Sequence, residues 1–247
     1  MAHGDFVWGD LSAYRPEAAK AFYADLFGWR YQRIRQEDGA PYDIASTEAG
    51  EAAAIFEMPP NLREIGMPSF WMPYFEVKDA ASTIALARDM GGKVEIGPLP
   101  AGGGAVMALI RDPLGAGFTV YQGHDLEPRG SAEGRGQIAW AELYFSDAAA
   151  VAPFYRALFG WEITPDADGV DRLTAATHDG HPVAALQQAG KELRGEFEFW
   201  GLHFRWPGLG AARAALKAQG GAVTYEAADG LILANDPDGA AFFLCEA

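Results

Sequence analysis

The sequence predicts an α+β fold in which one chain carries two similar domains, each built from a pair of βαβββ modules. The main observation is a repeat: FYADLFGW (Phe22–Trp29) returns as FYRALFGW (Phe154–Trp161), 132 residues later. FWMPYFEV returns as FWGLHFRW after 129 residues, and RDPLGAGF returns as NDPDGAAF after 124. Because these matches keep one order with small changes of spacing, they indicate a tandem duplication.

The first elements of each half follow from periodicity and end signals. FVWGDL alternates as a strand, with Phe6, Trp8 and Asp10 on one face. Pro16 suits a first helical turn, and apolar residues then recur at helical spacing until Gly28 offers a cap. In the second half the same helix is predicted from Asp147 as N-cap to Gly160, with Pro153 expected to delay or kink it.

The remaining elements of the first half are mostly strands. Strand-like runs cover 42–46, 52–58 and 71–77, and a second helix is predicted over 80–90, closed by two glycines. Two final strands, 106–110 and 117–122, are joined by DPLG, which suits a type I turn. The predicted domains are therefore 1–124 and 137–247, separated by a linker at 125–136 that is rich in Gly, Pro and charge.

Composition excludes several classes of partner. The 247 residues carry a formal net charge of −15, which disfavours nucleic acid and anionic membranes because their phosphates require clustered cations. No signal peptide or spanning segment is recognisable, so a cytoplasmic location is expected. The single cysteine, Cys245, excludes an internal disulfide, and a buried strand position is its expected role. A monomer and a homodimer both remain open.

These motifs, FY-x-x-LFGW closing the first helix and DP-x-G opening the last hairpin, resemble the vicinal oxygen chelate superfamily of glyoxalases, bleomycin-resistance proteins and dioxygenases. WGDL (Trp8–Leu11) and WAEL (Trp140–Leu143) resemble, within it, the tandem two-domain glyoxalase-like, or hydroxylase-like, subgroup. The resemblance implies that each pair of βαβββ modules forms a half-open, barrel-like sheet. It does not choose among a lyase, an oxygenase and a binding protein.

Metal-using members hold a divalent ion with four side chains on the concave face of the sheet. The resemblance implies which residues of this chain stand at those four positions. In the first copy the four positions are Trp8, Phe56, Met72 and Thr119. In the second copy they are Trp140, either Ala185 or Leu186, Gly201 and Phe243. Neither set offers the imidazole and carboxylate donors that such ions require. We therefore expect no superfamily metal site and no cofactor.

Strand alternation places other candidates on the same face, two residues beyond the lost ligands. In the first half they are Asp10 and Tyr74, with Thr119 and Tyr121 on the last strand. In the second half they are Glu142 and His203, with Phe243 and Cys245. Glu142 and His203 are either an acid and base pair or a buried hydrogen bond, and Asp10 with Tyr74 is a weaker candidate of the same kind. Trp8 and Trp140 either stack a planar ligand or simply fill the core.

Three functions remain open at this level. A small-molecule-binding protein with an apolar, aromatic-lined cavity needs no metal. The binding residues would then be Trp8, Asp10, Met72, Tyr74, Thr119, Tyr121, Trp140 and Phe243. A metal-free enzyme would use Glu142 and His203 for proton transfer. A metal-dependent glyoxalase-type lyase or a dioxygenase would need the missing ligands.

Overall fold

The computed structural model describes residues 2–36, 38–166, 171–177, 179–228 and 230–246. The strands of the first half are β1 (Phe6–Ala13), β2 (Arg30–Arg35), β3 (Pro41–Thr47), β4 (Gly50–Glu57), β5 (Phe70–Glu76), β6 (Lys93–Pro100), β7 (Val106–Arg111) and β8 (Gly117–Gln122). Those of the second half are β9 (Ile138–Phe145), β10 (Glu162–Pro165), β11 (Arg172–Ala176), β12 (Pro182–Gln188), β13 (Phe199–Trp206), β14 (Ala222–Glu226), β15 (Ile232–Asn235) and β16 (Ala241–Glu246). The helices are α1 (Pro16–Phe27), α2 (Pro60–Glu64), α3 (Ala80–Asp89), α4 (Ala148–Phe159), α5 (Lys191–Arg194) and α6 (Ala212–Ala218), with a 3₁₀ turn at Leu209–Ala211.

The duplicated α+β fold is confirmed by the strand order. One eight-stranded sheet runs β2-β3-β4-β1-β5-β8-β7-β6, and the other runs β10-β11-β12-β9-β13-β16-β15-β14. Each sheet therefore contains the strands of one half of the chain. Within each sheet, two βαβββ modules supply four neighbouring strands apiece.

Contacts between residues group the chain into two compact units that do not coincide with the two halves. The first contact unit comprises Met1–Trp8, Pro73–Pro128 and Trp140–Trp200, and the second comprises Gly9–Met72, Arg129–Ala139 and Gly201–Ala247. Each unit thus combines a module of the first half with a module of the second. The prediction that 1–124 and 137–247 are separate domains, joined by a linker at 125–136, remains a prediction.

Aromatic rings form the core of each contact unit. In the first unit the ring of Phe75 lies 5.2 Å from that of Phe159 and 5.0 Å from that of Trp200, measured between ring centroids. In the second unit Phe27 lies 5.2 Å from Phe204, and Tyr23 lies 5.5 Å from Phe242. The aromatic residues of the repeated octapeptide therefore pack against strands of the other repeat.

A hydrogen-bonded chain of three side chains occurs once in each contact unit. In the first unit Trp200 Nε1 donates to the hydroxyl of Tyr155 at 2.9 Å, and that hydroxyl donates to Asp112 Oδ2 at 3.0 Å. The second unit repeats the arrangement with Trp71, Tyr23 and Asp236, at 3.0 and 3.3 Å. The tyrosine of each FY motif therefore holds the aspartate of the other repeat's DP-x-G turn.

Local signals in the sequence account for the helix ends. Asp147 accepts a hydrogen bond from the backbone N–H of Ala149 at 2.8 Å, and Gly28 and Gly160 end their helices in the left-handed conformation. Because α4 begins at Ala148, the expectation that Pro153 delays its start is wrong. β2 and β6 were not predicted from the sequence because they are largely exposed strands without a buried apolar alternation. In the described part of the chain, no helix is long and apolar enough to span a membrane.

Candidate small-molecule site

The strand register shows which residue of β12, Ala185 or Leu186, lies on the same face of the sheet as Glu142. Ala185 pairs directly with Glu142, whereas Leu186 pairs with Leu143. Because neighbouring strand residues point to opposite faces, Ala185 is the residue at the metal-ligand position. Its methyl group offers no donor to a metal ion.

In the first half the same register places Ala54 beside Asp10, with Phe56 two residues further along that face. The ligand positions in the two halves are occupied by indole, thioether, methyl and phenyl groups, by a glycine, and by one hydroxyl group, that of Thr119. This donor set does not fit a divalent ion of the superfamily type. Among the residues that the structure describes, no group of three or more His, Cys, Asp or Glu side chains is placed to hold a metal ion.

Glu142 is the best-defined polar residue on the face carrying the predicted acid. Its side chain is buried on β9, and Arg172 Nε donates to its Oε1 at 2.9 Å. The hydroxyl of Tyr144, two residues along the strand, donates to Oε2 at 3.2 Å. Arg172 also donates through Nη1 to Asp166 at 3.0 Å. Both oxygens of Glu142 are therefore held in place by neighbours in the first contact unit.

The electrostatics of this cluster follow from burial and the ion pair. Burial raises the pKa of Glu142, and the charge and hydrogen bond of Arg172 oppose that rise. Burial acts to lower the pKa of Arg172, but Glu142 and Asp166 outweigh it and raise the pKa of the guanidinium. The side chain of Arg172 remains 43% exposed. A fixed guanidinium thus faces solvent in front of a buried carboxylate.

Trp140 lies on the same face of β9 as Glu142, two residues before it, and is only partly buried. Its Nε1 atom is buried and has no hydrogen-bond partner among the described residues. A buried donor without a partner is unusual in a folded protein and needs an explanation. Tyr144 stacks on the partly exposed Phe199 with 5.3 Å between ring centroids, so aromatic surface continues along this face.

In the first half, too, a residue of the third strand donates a hydrogen bond to an acid on the first strand. The hydroxyl of Tyr42, on β3, donates to Asp10 Oδ2 at 3.0 Å, and the Tyr42 ring lies 6.0 Å from that of Phe56. Asp10 is buried, and Tyr42 and Phe56 are partly exposed. Tyr42 and Arg172 therefore occupy corresponding places in the two repeats, a neutral group in one and a cation in the other.

Other predicted residues of the first half lie together in the first contact unit. Tyr74 pairs in register with Thr119 on β8, and Tyr74 also packs against a cluster formed by Val7, Ala105 and Tyr121. Thr119 and Tyr121 are buried, as is Trp8. Met72 is buried and belongs to the second contact unit.

His203 and Phe243 pair in register on β13 and β16, and their rings stack at 4.5 Å and 9°. Both side chains are buried. Cys245 lies two residues further along β16, and its Sγ is 3.6 Å from the carbonyl oxygen of Phe204. Burial raises the pKa of this thiol.

The structure gives Glu142 and His203 different neighbours. Glu142 belongs to the first contact unit, where Arg172 and Tyr144 hold it, and His203 belongs to the second. Asp10 and Tyr74 are divided in the same way. Direct pairing of either acid with its aromatic partner remains a prediction. Sequence reasoning missed Arg172, although its place in the repeat, 130 residues after Tyr42, was a usable signal.

Sequence profiles match both halves of the chain. Residues 10–120 match the Glyoxalase/Bleomycin resistance protein/Dioxygenase superfamily, and residues 141–245 match the Glyoxalase-like domain. The chain therefore belongs to the glyoxalase/bleomycin resistance/dioxygenase superfamily and carries two of its domains in tandem, as the motifs predicted.

Particular relatives cover most of the chain. CFP32 of Mycobacterium tuberculosis, a protein named as a glyoxylase, is 29% identical over 95% of this chain and 92% of its own length. DnrV of Streptomyces peucetius, named as an anthracycline biosynthesis protein, is 29% identical over 77% of this chain and 73% of its own length.

Solved structures share the fold at low identity. The Mn(II)-bound glyoxalase from Novosphingobium aromaticivorans aligns with a TM-score of 0.63 at 14% identity, over 98% of this chain and 82% of that protein. The 2,3-dioxygenase LapB from Pseudomonas sp. KL28 aligns with a TM-score of 0.58 at 16% identity, over 100% of this chain and 94% of its own. At these identities the likeness concerns the fold alone.

Proposed function

We propose that this chain is a small-molecule-binding protein whose ligand lies on the face of β9 that carries Trp140 and Glu142, without a superfamily metal ion. The observation that carries the proposal is the replacement of metal ligands by Trp140 and Ala185 beside an acid clamped by Arg172. A guanidinium in this place supplies a fixed positive charge where a metal-using relative would hold its ion. The binding chemistry is then hydrogen bonding and ring stacking rather than coordination.

A planar ligand bearing oxygen acceptors fits this face best. The partly exposed rings of Trp140 and Phe199 offer flat apolar surface. Among the residues that the structure describes, Arg172 uses two of its five N–H groups, on Glu142 and Asp166, which leaves donors for a carbonyl or enolate oxygen. The unpartnered Nε1 of Trp140 offers another donor. The name of the DnrV relative points to anthracyclines, which are planar polycyclic ketones, and supports the same class of ligand.

A pair of planar probes tests the proposal. We expect 2-hydroxy-1,4-naphthoquinone to bind saturably in equilibrium dialysis, and naphthalene, which has the same fused rings without oxygens, to bind more weakly. Replacing Trp140 by Ala is expected to weaken binding of both probes by roughly tenfold or more, because stacking and an aromatic surface are lost. Ile65→Ala, which removes a highly exposed apolar side chain of the second contact unit, serves as the control. Failure of both probes to bind would contradict the proposal.

A metal-free enzyme using Glu142 is the second candidate. Its support is a buried carboxylate whose pKa is raised by burial, which is the condition for a proton donor or acceptor at moderate pH. His203 would be the partner group. Glu142→Gln is expected to abolish turnover of any substrate found, with an unchanged circular dichroism spectrum; retained turnover would exclude the role. A superfamily lyase or dioxygenase mechanism does not fit the donor set.

A further inference from the structure

The segment that follows β8 folds back onto the sheet of the first half. Asp125 Oδ1 accepts a hydrogen bond from the hydroxyl of Tyr121 at 2.7 Å. The next residue, Leu126, packs against a cluster formed by Val7, Ala105 and Tyr121. The segment and the cluster belong to the first contact unit. Two consecutive residues, one polar and one apolar, therefore bind the same part of the sheet.

Strand register shows that this cluster adjoins the face on which the sequence predicts ligand contacts. Tyr74 pairs with Thr119 on β8, and Met107 on β7 pairs with Tyr121. Because Thr119 and Tyr121 are two residues apart on one strand, all four side chains lie on one face. Tyr74 and Met107 pack against the same cluster as Leu126. These four residues and the cluster form a covered patch, made of side chains that a ligand of the first half would touch.

A tight turn directs the segment onto the covered patch. A Cβ atom at Gly123 would lie 2.3 Å from Cε1 of Tyr121 and 2.5 Å from Oδ1 of Asp125. Both distances are well below van der Waals contact, so any side chain at this position would push the ring or the carboxylate away. His124 follows with a φ of 61°, the one positive value at a non-glycine residue in the described part of the chain. Such a conformation persists where surrounding contacts fix it, and Asp125 and Leu126 make those contacts.

The covered patch is closed to solvent, in contrast to the face of β9 that carries Trp140. Thr119 and Tyr121 are 3% and 6% exposed, whereas Trp140 is only partly buried. Burial raises the pKa of the Tyr121 phenol, and the hydrogen bond to Asp125 raises it further. The patch itself consists of apolar side chains and hydroxyl groups. A neutral aromatic molecule with one acceptor oxygen suits such a surface.

We propose that residues 123–126 are a built-in occupant of a second binding site in the first half, and that this site takes a small neutral aromatic molecule once the segment is displaced. Leu126 then stands for the apolar body of the ligand, and the Asp125 carboxylate stands for the acceptor that meets the Tyr121 hydroxyl. A segment tethered directly to β8 has a high effective concentration at this site, so it outcompetes a free molecule. The site shares no residue with the Trp140 face, so the two proposals stand or fall separately.

Nitration of tyrosines by tetranitromethane tests the covering without any ligand. Leu126→Asp places a charge against the apolar cluster and leaves Asp125 intact, so it displaces the segment only if packing holds it. Tyr121 is expected to react faster in this variant by roughly tenfold or more, because exposure returns its pKa toward the ordinary value and each pKa unit changes the phenolate fraction tenfold. Tyr14, which is 37% exposed, should react equally in both proteins, as peptide mass spectrometry can measure. An unchanged rate at Tyr121 would overturn the proposal.

Equilibrium dialysis with 1-tetralone, a neutral aromatic ketone, tests the site itself. Leu126→Asp and, by a second route, the double variant Asp125→Ala/Leu126→Ala are each expected to bind one equivalent more than the wild type. Ile65→Asp, the same kind of change at a highly exposed position of the second contact unit, should add none. Adding Tyr121→Phe should weaken the new site by about tenfold, because the donor is lost.

The result is a difference from the wild type, so it does not depend on whether the wild type binds the probe on the Trp140 face. A gain of one equivalent supports the covered site even if the wild type binds none. No gain in either displaced variant would overturn it and leave the proposed function untouched.

Discussion

The hydroxyl of Tyr155 donates a hydrogen bond to Oδ2 of Asp112, 3.0 Å away, although the two residues belong to different repeats of the chain. The carboxylate is buried, and its Oδ1 accepts hydrogen bonds from three backbone N–H groups of the turn that follows it. The tyrosine hydroxyl also accepts from Trp200. One phenol therefore connects a helix of the second repeat to a turn of the first.

Replacing Tyr155 by Phe is expected to lower the free energy of unfolding by about 2–3 kcal/mol. The change leaves a buried carboxylate oxygen and a buried indole N–H without partners, and such groups carry a full desolvation penalty. Urea denaturation followed by circular dichroism measures the effect.

Tyr31→Phe is the matched control, since its hydroxyl donates to the partly buried carbonyl oxygen of Lys20 at 3.1 Å, and a loss below about 1 kcal/mol is expected. Equal losses in the two variants would contradict a special role for the contact between Tyr155 and Asp112.

The sequence was sufficient for the fold because the repeated motifs carry strong local signals. Helix caps at Asp147, Gly28 and Gly160 and the DP-x-G turns depend on a few adjacent residues. The exchange of helices between the repeats was not predictable in the same way. A duplicated sequence does not specify whether Tyr155 meets the aspartate of its own repeat or of the other, because both turns read almost alike.

The candidate site was predictable only along single strands. Alternation identified Glu142 and Trp140 on one face of β9 from the sequence alone. Arg172 lies on another strand, whose pairing with β12 includes a shift of register between Ala175 and Ala176. Such irregularities break the counting on which sequence reasoning depends.

Removing the guanidinium of Arg172 should destabilise the fold by about 1–2 kcal/mol near neutral pH. Arg172→Met leaves the buried carboxylate of Glu142 without its cation, although the partial exposure of Arg172 reduces the effect compared with a fully buried pair. Denaturant unfolding at pH ~7.5 measures it. Lys191→Met is the control, because its ion pair with Glu196 is exposed and worth less than about 1 kcal/mol. If Arg172→Met loses no more free energy of unfolding than the control, the proposed stabilising role of the ion pair between Arg172 and Glu142 is contradicted.

The raised pKa of Glu142 predicts how stability changes with pH. When the pKa of a carboxyl group is higher in the folded than in the unfolded protein, ionising the group destabilises the fold. Its contribution to the free energy of unfolding is therefore complete below the unfolded-state pKa of ~4.3, and it is lost as pH rises through the folded-state pKa. The free energy of unfolding of the wild type, relative to Glu142→Gln, should therefore fall between pH ~4 and pH ~8. Paired urea titrations across that range measure it. A difference that rises with pH would show that Arg172 outweighs burial.

The Nε1 atom of Trp140 should contribute to ligand recognition and little to stability. Trp140→Phe keeps a ring in place and removes a donor that has no partner in the described residues, so the free energy of unfolding should change by less than about 1.5 kcal/mol. Binding of 2-hydroxy-1,4-naphthoquinone is expected to weaken by about tenfold, the value of one hydrogen bond, and binding of naphthalene to change little. Equal weakening for both probes would assign Trp140 a purely stacking role.

Binding with and without metal tests the central claim most directly. The protein is dialysed against a chelator, and its affinity for 2-hydroxy-1,4-naphthoquinone is measured by equilibrium dialysis before and after addition of Mn²⁺, Ni²⁺ or Zn²⁺. If Arg172 and Trp140 provide the binding chemistry, the metal-free protein will bind the probe saturably and the added ions will leave the affinity unchanged within twofold. Binding that appears only after one equivalent of a divalent ion is taken up would contradict the proposed metal-free site.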